Sequence, residues 1–174
     1  VISVPQYSWL PAERDHYYQS KLSSMLLYTN RLGSTTRIKA GTYANYFYSY
    51  LKSSLNDISH LNGTLDEPLI QPFVTVEQDI MNRVEIHAGL HAFIQDRINF
   101  FNLQPRMNAR LRITDEQYVL AEYGYSSQLL PASIYLGHKE NFNLKPVNSN
   151  AFTLSHGIQL GNYHLKTELY YRLF

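Results

Sequence analysis

Two histidines spaced four apart, His87 and His91, are the residues that most invite a chemical interpretation. On a helix, this spacing would place both imidazoles beside one metal ion. On an extended strand the same spacing places them on one face, about 13 Å apart, which is too far for one ion. The residues around them alternate as in a strand. We therefore expect two polar histidines on a shared face, and no metal site.

Basic residues recur at alternate positions further along, at Arg106, Arg110 and Arg112. They could form a basic row that contacts an anionic substrate or another part of the protein. Pairing with acidic residues on adjacent strands is the more ordinary arrangement, and we expect it here. The acidic residues available for such pairing are Glu85, Glu122 and Glu168.

Ser126, Ser127 and His156 raise the possibility of a hydrolase. Nothing in their spacing fixes a nucleophile beside a base, and strand alternation turns His156 toward the apolar side. We predict no enzymatic activity and no cofactor. A stretch predicted to be a long loop, 51–68, carries polar residues that could bind a ligand or metal, although an ordinary solvated loop is expected. Those residues are Asp57, His60, Asp66 and Glu67.

The stretch 84–94 shows what kind of element holds these residues. Its even positions are all apolar, whereas its odd positions are polar or glycine except for Phe93. A period of two predicts an extended strand with one apolar and one polar face. Such a length suits a tilted strand that crosses a bilayer, because strands in soluble proteins usually stop near about five or six residues. The apolar positions are Val84, Ile86, Ala88, Leu90, Ala92 and Ile94.

The same pattern recurs and predicts an all-β protein, an antiparallel up-and-down transmembrane β-barrel wall of about eight long strands. In the clearest other example, Met107, Ala109, Leu111 and Ile113 alternate with the basic row. A one-residue slip would turn arginines into lipid at roughly 2–4 kcal/mol each, so the register is strongly fixed. The predicted strands are 17–30, 36–50, 69–80, 84–95, 105–114, 117–127, 150–160 and 163–174.

Composition fits this class and excludes others. The formal net charge is +1 with no basic cluster, which argues against nucleic-acid binding. No apolar run is long enough for a membrane-spanning helix. The 15 Tyr and 8 Phe suit aromatic girdles at membrane interfaces. Cysteine is absent, which excludes disulfides and zinc–thiolate sites.

The predicted connections alternate in length. Residues 31–35, 81–83, 115–116 and 161–162 form short turns, whereas 51–68, 96–104 and 128–149 are longer. Since outer-membrane barrels have short periplasmic turns and longer exterior loops, the long connections are expected outside the cell. The first strand then starts outside and the eighth finishes outside. Complete barrels normally have both ends in the periplasm, so we expect a slice of a larger barrel wall, a partial barrel domain over 1–174.

The second half resembles TonB-dependent outer-membrane receptors, specifically the subgroup that often carries a carboxypeptidase-regulatory-like domain before the plug. The resemblance covers most of the chain and is firmest over 84–174. It rests on an order of strands and short motifs, none of them catalytic. These are Gln104-Pro105-Arg106, Glu122 to Gln128, Pro131, Ile134 to Leu136, Asn141, Leu144, the strand around His156 and Gly161, and Leu165 to Tyr171.

The resemblance implies a barrel of roughly 22 strands, occluded by a plug, that imports a nutrient through the bacterial outer membrane. Its implied partners are outer-membrane lipid, a plug domain, the TonB energy-coupling system and a surface substrate-binding lipoprotein. The polar faces of the strands would then line the lumen. Residues expected there, as candidates for plug or substrate contact, are Glu85, His87, His91, Arg106, Arg110, Arg112, Glu122, Lys166 and Glu168.

Two alternatives stay open at this point. A complete small eight-stranded outer-membrane protein, with a structural or adhesive role, would show the same strand faces. A soluble, lipocalin-like barrel would instead turn its apolar faces inward and expose its charged faces to water.

Overall fold

The computed structural model describes residues 13–55 and 58–174. They form one sheet of eight antiparallel strands, in which every strand pairs with its neighbours in sequence. This is the predicted all-β, up-and-down arrangement. The strands are β1 (Glu13–Leu32), β2 (Thr36–Leu55), β3 (Ile58–Ile80), β4 (Val84–Gln95), β5 (Phe100–Arg112), β6 (Gln117–Gln128), β7 (Val147–Leu160) and β8 (Tyr163–Leu173).

The sheet has a polar face and an apolar face, which the strand register defines. The polar face is the side that carries the odd-numbered residues of β1–β4 and β7 and the even-numbered residues of β5, β6 and β8. The apolar face is open rather than packed: Leu90 is 41% exposed, Met107 50% and Leu169 68%. A lipocalin-like interior is therefore not formed, because the apolar side chains do not enclose a core. Within the described ranges, no helix has the length and apolarity to cross a membrane.

The turns that follow β1, β3, β5 and β7 lie at one end of the sheet and are short, as the sequence predicts. Gly33 and Gly161 adopt positive φ values of 74° and 60°, and Asn82 adopts 55°. Glycine and asparagine tolerate this left-handed region, which explains why these residues mark the turns.

The predicted long loop at 51–68 is wrong. β2 continues to Leu55 and β3 begins at Ile58, so the two strands form a hairpin that extends beyond its neighbours. At about 3.3 Å per residue, 20 residues reach about 66 Å, well beyond the roughly 25 Å apolar band of an outer-membrane barrel. The connection at 96–104 is also shorter than predicted, since β5 begins at Phe100.

The hairpin extends because its polar side has something to pack against. A short helix, α1 (Ala132–Gly137), followed by a 3-10 turn (Lys139–Asn143), lies between β6 and β7. Tyr135 and Leu136 of α1 are buried against Leu65 of β3, and Leu51 and Phe142 pack around them. We call residues 129–146, together with the ends of β2 and β3 beneath them, the cap. Apolar burial on both surfaces stabilises it.

Pro72 lies inside β3, where a proline lowers the expectation of a strand. It pairs with Thr42 of β2, whereas the β3–β4 pairing skips from Ile70 to Phe73. Proline has no N–H to donate, so the ladder on that side is interrupted locally. The strand survives because its other edge stays paired.

Gly41 supplies a test of the packing between strands. A Cβ at this position would lie 2.3 Å from the carbonyl oxygen of Leu26 and 2.8 Å from the ring of Phe73. The oxygen belongs to the backbone and cannot rotate away. We predict that Gly41→Ala lowers the free energy of unfolding by about 1–3 kcal/mol, the range of overpacking substitutions. Gly124→Ala is the control, because a Cβ there meets nothing within 4 Å; equal losses in urea unfolding would refute the prediction.

Candidate functional site

The nine residues expected to line a lumen all lie on the polar face. Their positions in neighbouring strands follow from the register. Glu85 of β4 stands opposite Arg110 of β5, and Arg106 stands between Gly89 and Gly124. The sequence therefore predicted their common face. What they contact in a larger assembly stays a prediction.

The expected pairing of the arginines with acidic residues across strands is not what the structure shows. Within residues 13–55 and 58–174, no ion pair joins Arg106, Arg110 or Arg112 to a carboxylate. Instead, the guanidinium of Arg110 lies 4.1 Å from the centre of the Tyr118 ring, a cation–π contact.

The acidic residues find partners on their own strands. The carboxylate of Glu85 lies 2.7 Å from Nε2 of His87, and that of Glu168 lies 2.7 Å from Nζ of Lys166. Residues two apart on a strand share a face, so these contacts need little side-chain ordering. Glu168 also accepts a hydrogen bond of 2.9 Å from Ser155 of β7. Two of the three carboxylates that were expected to form ion pairs with arginines are therefore paired on their own strands instead.

A cavity of about 490 Å³ opens on the polar face across β3 to β7. Arg106, Glu122, His87, His91 and other polar residues line it. Arg106 and Glu122 belong to adjacent strands in diagonal positions, since Arg106 pairs with Gly124 and Glu122 pairs with Asn108. Diagonal neighbours lie about 7–8 Å apart, and the two charged groups do not meet in an ion pair. The cavity therefore presents one cation and one anion to whatever enters it.

The two histidines lie in different surroundings. His91 stacks on the ring of Phe73 at a centroid distance of 5.1 Å, and Phe73 stacks in turn on Tyr43 at 5.3 Å. His87 is bonded to Glu85. Among the described residues, no group of three His, Cys, Asp or Glu side chains could hold a metal ion. The separation of the histidines predicted from strand geometry agrees with these different surroundings.

The serine and histidine residues considered for hydrolysis are not brought together. Ser126 lies within hydrogen-bond distance of Ser149, at 3.1 Å, and Ser127 donates to Asn148 at 2.7 Å. His156 lies on the apolar face, where it pairs in register with Val119. Within the described ranges, neither serine is hydrogen-bonded to a histidine. The absence of enzymatic activity stays a prediction.

Glu67 is a buried residue of the cap, not part of a solvated loop. It is 4% exposed, and its carboxylate accepts a hydrogen bond of 3.2 Å from Arg97. Burial raises the pKa of Glu67, and the charge and hydrogen bond of Arg97 oppose that rise. Asp66 lies on the other face and bonds to the hydroxyl of Tyr46. Asp57 lies outside the described residues, and His60 belongs to β3.

Arg97 is the residue that sequence reasoning missed. Its guanidinium lies 4.5 Å from the ring centre of Tyr135 and also donates to the backbone oxygen of Phe142. It thereby joins the β4–β5 turn, β3 and the cap. Its partners lie 30 to 45 residues away in sequence, so no local pattern could have identified them.

Comparison with solved structures gives a structural neighbour. No family model and no curated protein matches the chain. A solved chain from the structure of the FpvAI–pyocin S2 complex superposes with a TM-score of 0.58 at 14% identity, over 93% of this chain. That neighbour is a TonB-dependent receptor complex. This chain spans 26% of the neighbour's length. The likeness at this identity establishes a common fold, an antiparallel sheet with the architecture of part of that receptor.

Proposed function

We propose that the chain forms part of the barrel of a TonB-dependent receptor in the bacterial outer membrane, which imports a nutrient. The observation that carries this proposal is the apolar face. It extends across β4 to β8 and stays open, with Leu154 49% and Leu165 59% exposed. So much contiguous apolar surface is unfavourable in water and suits contact with lipid.

The edges of the sheet support a larger barrel. β1 and β8 lie at opposite edges and do not pair with each other in the part of the chain that the structure describes. An open edge exposes unpaired N–H and C=O groups, which cannot be left unsatisfied in a bilayer. More strands would complete the pairing on both sides. The open edges disfavour the alternative of a complete eight-stranded outer-membrane protein.

The polar face would then look into the lumen. There the nine polar-face residues identified above would contact a plug domain or the passing solute. The TonB system would supply energy, and a surface lipoprotein could deliver the substrate. The carboxypeptidase-regulatory-like subgroup, the nutrient class and these partners are proposals that rest on the resemblance in the sequence and on the shared fold.

The coding sequence on either side of these residues provides the first test. We expect it to encode a plug before residue 1 and further strands after residue 174. We call the protein encoded by the whole gene the full chain, and we expect it to fractionate with the outer membrane as a heat-modifiable band. Start and stop codons immediately beside these residues would contradict the proposal. So would recovery of the full chain in the aqueous fraction.

A further inference from the structure

The cavity on the polar face is lined by two opposite charges, and the proposed function does not say what they bind. Among its lining groups, Arg106 and Glu122 are the fully charged ones, and they carry opposite charges. Neither has a hydrogen-bond or ion-pair partner within the described ranges. On the same face, by contrast, Glu85 and Glu168 have taken partners. Lys166 and His91 lie within electrostatic range of Glu122 and Arg106 respectively but do not bond to them, so both charges can still form hydrogen bonds with a ligand.

The backbone on either side of Arg106 leaves room for that ligand. In the ladder, Arg106 is flanked by Gly89 and Gly124, and Ala151 follows on β7. A side chain added at Gly124 would meet nothing within 4 Å, so the space beside the guanidinium is open. At Gly89 the hydroxyl of Thr75 closes the other side, 2.9 Å from where a Cβ would lie. The guanidinium thus stands at the wall of a recess.

The size and the remaining lining fit a small polar solute. A volume of about 490 Å³ lies within the usual range of small-molecule sites, roughly 300–1,000 Å³. A single side chain from another domain would fill only part of it. Asn108 and Ser126 add neutral groups that can both donate and accept hydrogen bonds. A purely anionic solute would meet Glu122, and a purely cationic one would meet Arg106.

We propose that this recess binds a small zwitterion, such as an amino acid or the ends of a short peptide. Arg106 would hold its carboxylate and Glu122 its ammonium group. A planar guanidinium suits a carboxylate because it can donate two parallel hydrogen bonds. This inference rests on the proposed function, because it takes the polar face to be the wall of a lumen, and it names a substrate class for that lumen.

Three matched probes test the proposal on the full chain in detergent. Diglycine carries both charges, N-acetylglycine only the carboxylate, and glycinamide only the amine. We expect diglycine to bind saturably by calorimetry, and each single-charge probe to bind about tenfold more weakly or worse, since one charge-assisted hydrogen bond is lost. N-acetylglycine or glycinamide binding as tightly as diglycine would overturn the proposal, as would no saturable binding of diglycine.

Substitutions test whether Arg106 and Glu122 are the groups that bind diglycine. Arg106→Gln and Glu122→Gln should each weaken diglycine binding about tenfold or more, whereas Arg106→Lys should retain part of it. Arg31→Gln is the control, because Arg31 lies on the polar face of β1, has no ion pair within the described ranges and does not line this cavity. Equal losses in Arg106→Gln and Arg31→Gln would refute the site. If a variant fails to fold, the three probes on the unmodified chain still decide.

The two proposals fail in different ways. A heat-modifiable outer-membrane protein that binds none of the probes would overturn the zwitterion site and leave the barrel standing. A water-soluble protein that binds diglycine would overturn the barrel and leave the recess standing.

Discussion

An arginine in place of Met107 is expected to lower the free energy of unfolding of the membrane-inserted protein by about 2–4 kcal/mol, the cost of a charge near the bilayer midplane. Met107 lies on the apolar face near the middle of β5 and is 50% exposed. If that exposed surface faces lipid, the guanidinium must enter hydrocarbon. Urea unfolding of the full chain in lipid vesicles measures the effect.

The adjacent residue provides the control. Asn108 lies on the polar face of the same strand, where it pairs with His87 and Glu122. Asn108→Arg is expected to change the free energy of unfolding by much less, because its side chain meets polar groups and water. If both substitutions cost the same, or if Asn108→Arg costs more, the assignment of the apolar face to lipid is contradicted.

Replacing Arg97 with methionine is expected to destabilise the cap by about 3–5 kcal/mol, the cost of breaking a buried ion pair by removing one partner. The substitution keeps most of the apolar stem but leaves the carboxylate of Glu67 buried without its cation. It also removes the contact with the ring of Tyr135. The rate of proteolytic cleavage within 129–146 measures the opening of the cap.

The effect of Arg97→Met should depend on pH in a defined direction. Burial already raises the pKa of Glu67, and Arg97 opposes the rise. Without Arg97 the pKa rises further, so the folded cap binds a proton more tightly than the unfolded chain does. Stability is then lost as the pH rises through that raised pKa, and the deficit should be larger at pH 8 than at pH 5. A second replacement, Glu67→Leu, should restore most of the stability and remove the pH dependence. If the double variant remains as unstable as Arg97→Met alone, this account is contradicted.

Strand faces could be predicted from sequence because alternation is a local property. In 84–94 the alternation of apolar and polar residues indicates which side of the sheet each side chain lies on, and the pairing of β4 with β5 agrees with that assignment. His156 was assigned to the apolar face by alternation alone, and the structure places it there. Turn residues such as Gly33 and Gly161 are equally local signals.

The cap could not be predicted, because its signals are not local. The alternation of Leu61, Gly63 and Leu65 is weak, and it becomes a strand only when α1 covers Leu65. Likewise, the burial of Glu67 depends on Arg97, 30 residues away. We therefore expected an ordinary solvated loop at 51–68, where the structure has a buried ion pair.

The side-chain contacts on the polar face could not be predicted from the sequence either. The register sets Glu85 opposite Arg110, yet Glu85 contacts His87 and Arg110 contacts Tyr118. Register fixes which Cα atoms face each other, whereas long side chains choose among several neighbours at similar distance. Faces are thus predictable at this level, and side-chain contacts are not.

Scanning spin labels along 84–94 tests the central claim, that the apolar face contacts lipid, most directly. Residues 1–174 contain no cysteine, so single labelling sites can be introduced here in the full chain after any cysteines outside these residues are replaced by serine. In lipid vesicles, labels at Ile86, Ala88 and Leu90 should collide mainly with oxygen, which concentrates in hydrocarbon. Labels at His87 and Gly89 should collide mainly with a water-soluble nickel complex. The predicted result is therefore high oxygen accessibility at the even positions and high nickel accessibility at the odd positions. The reverse assignment, or high nickel accessibility at every position, would contradict the claim.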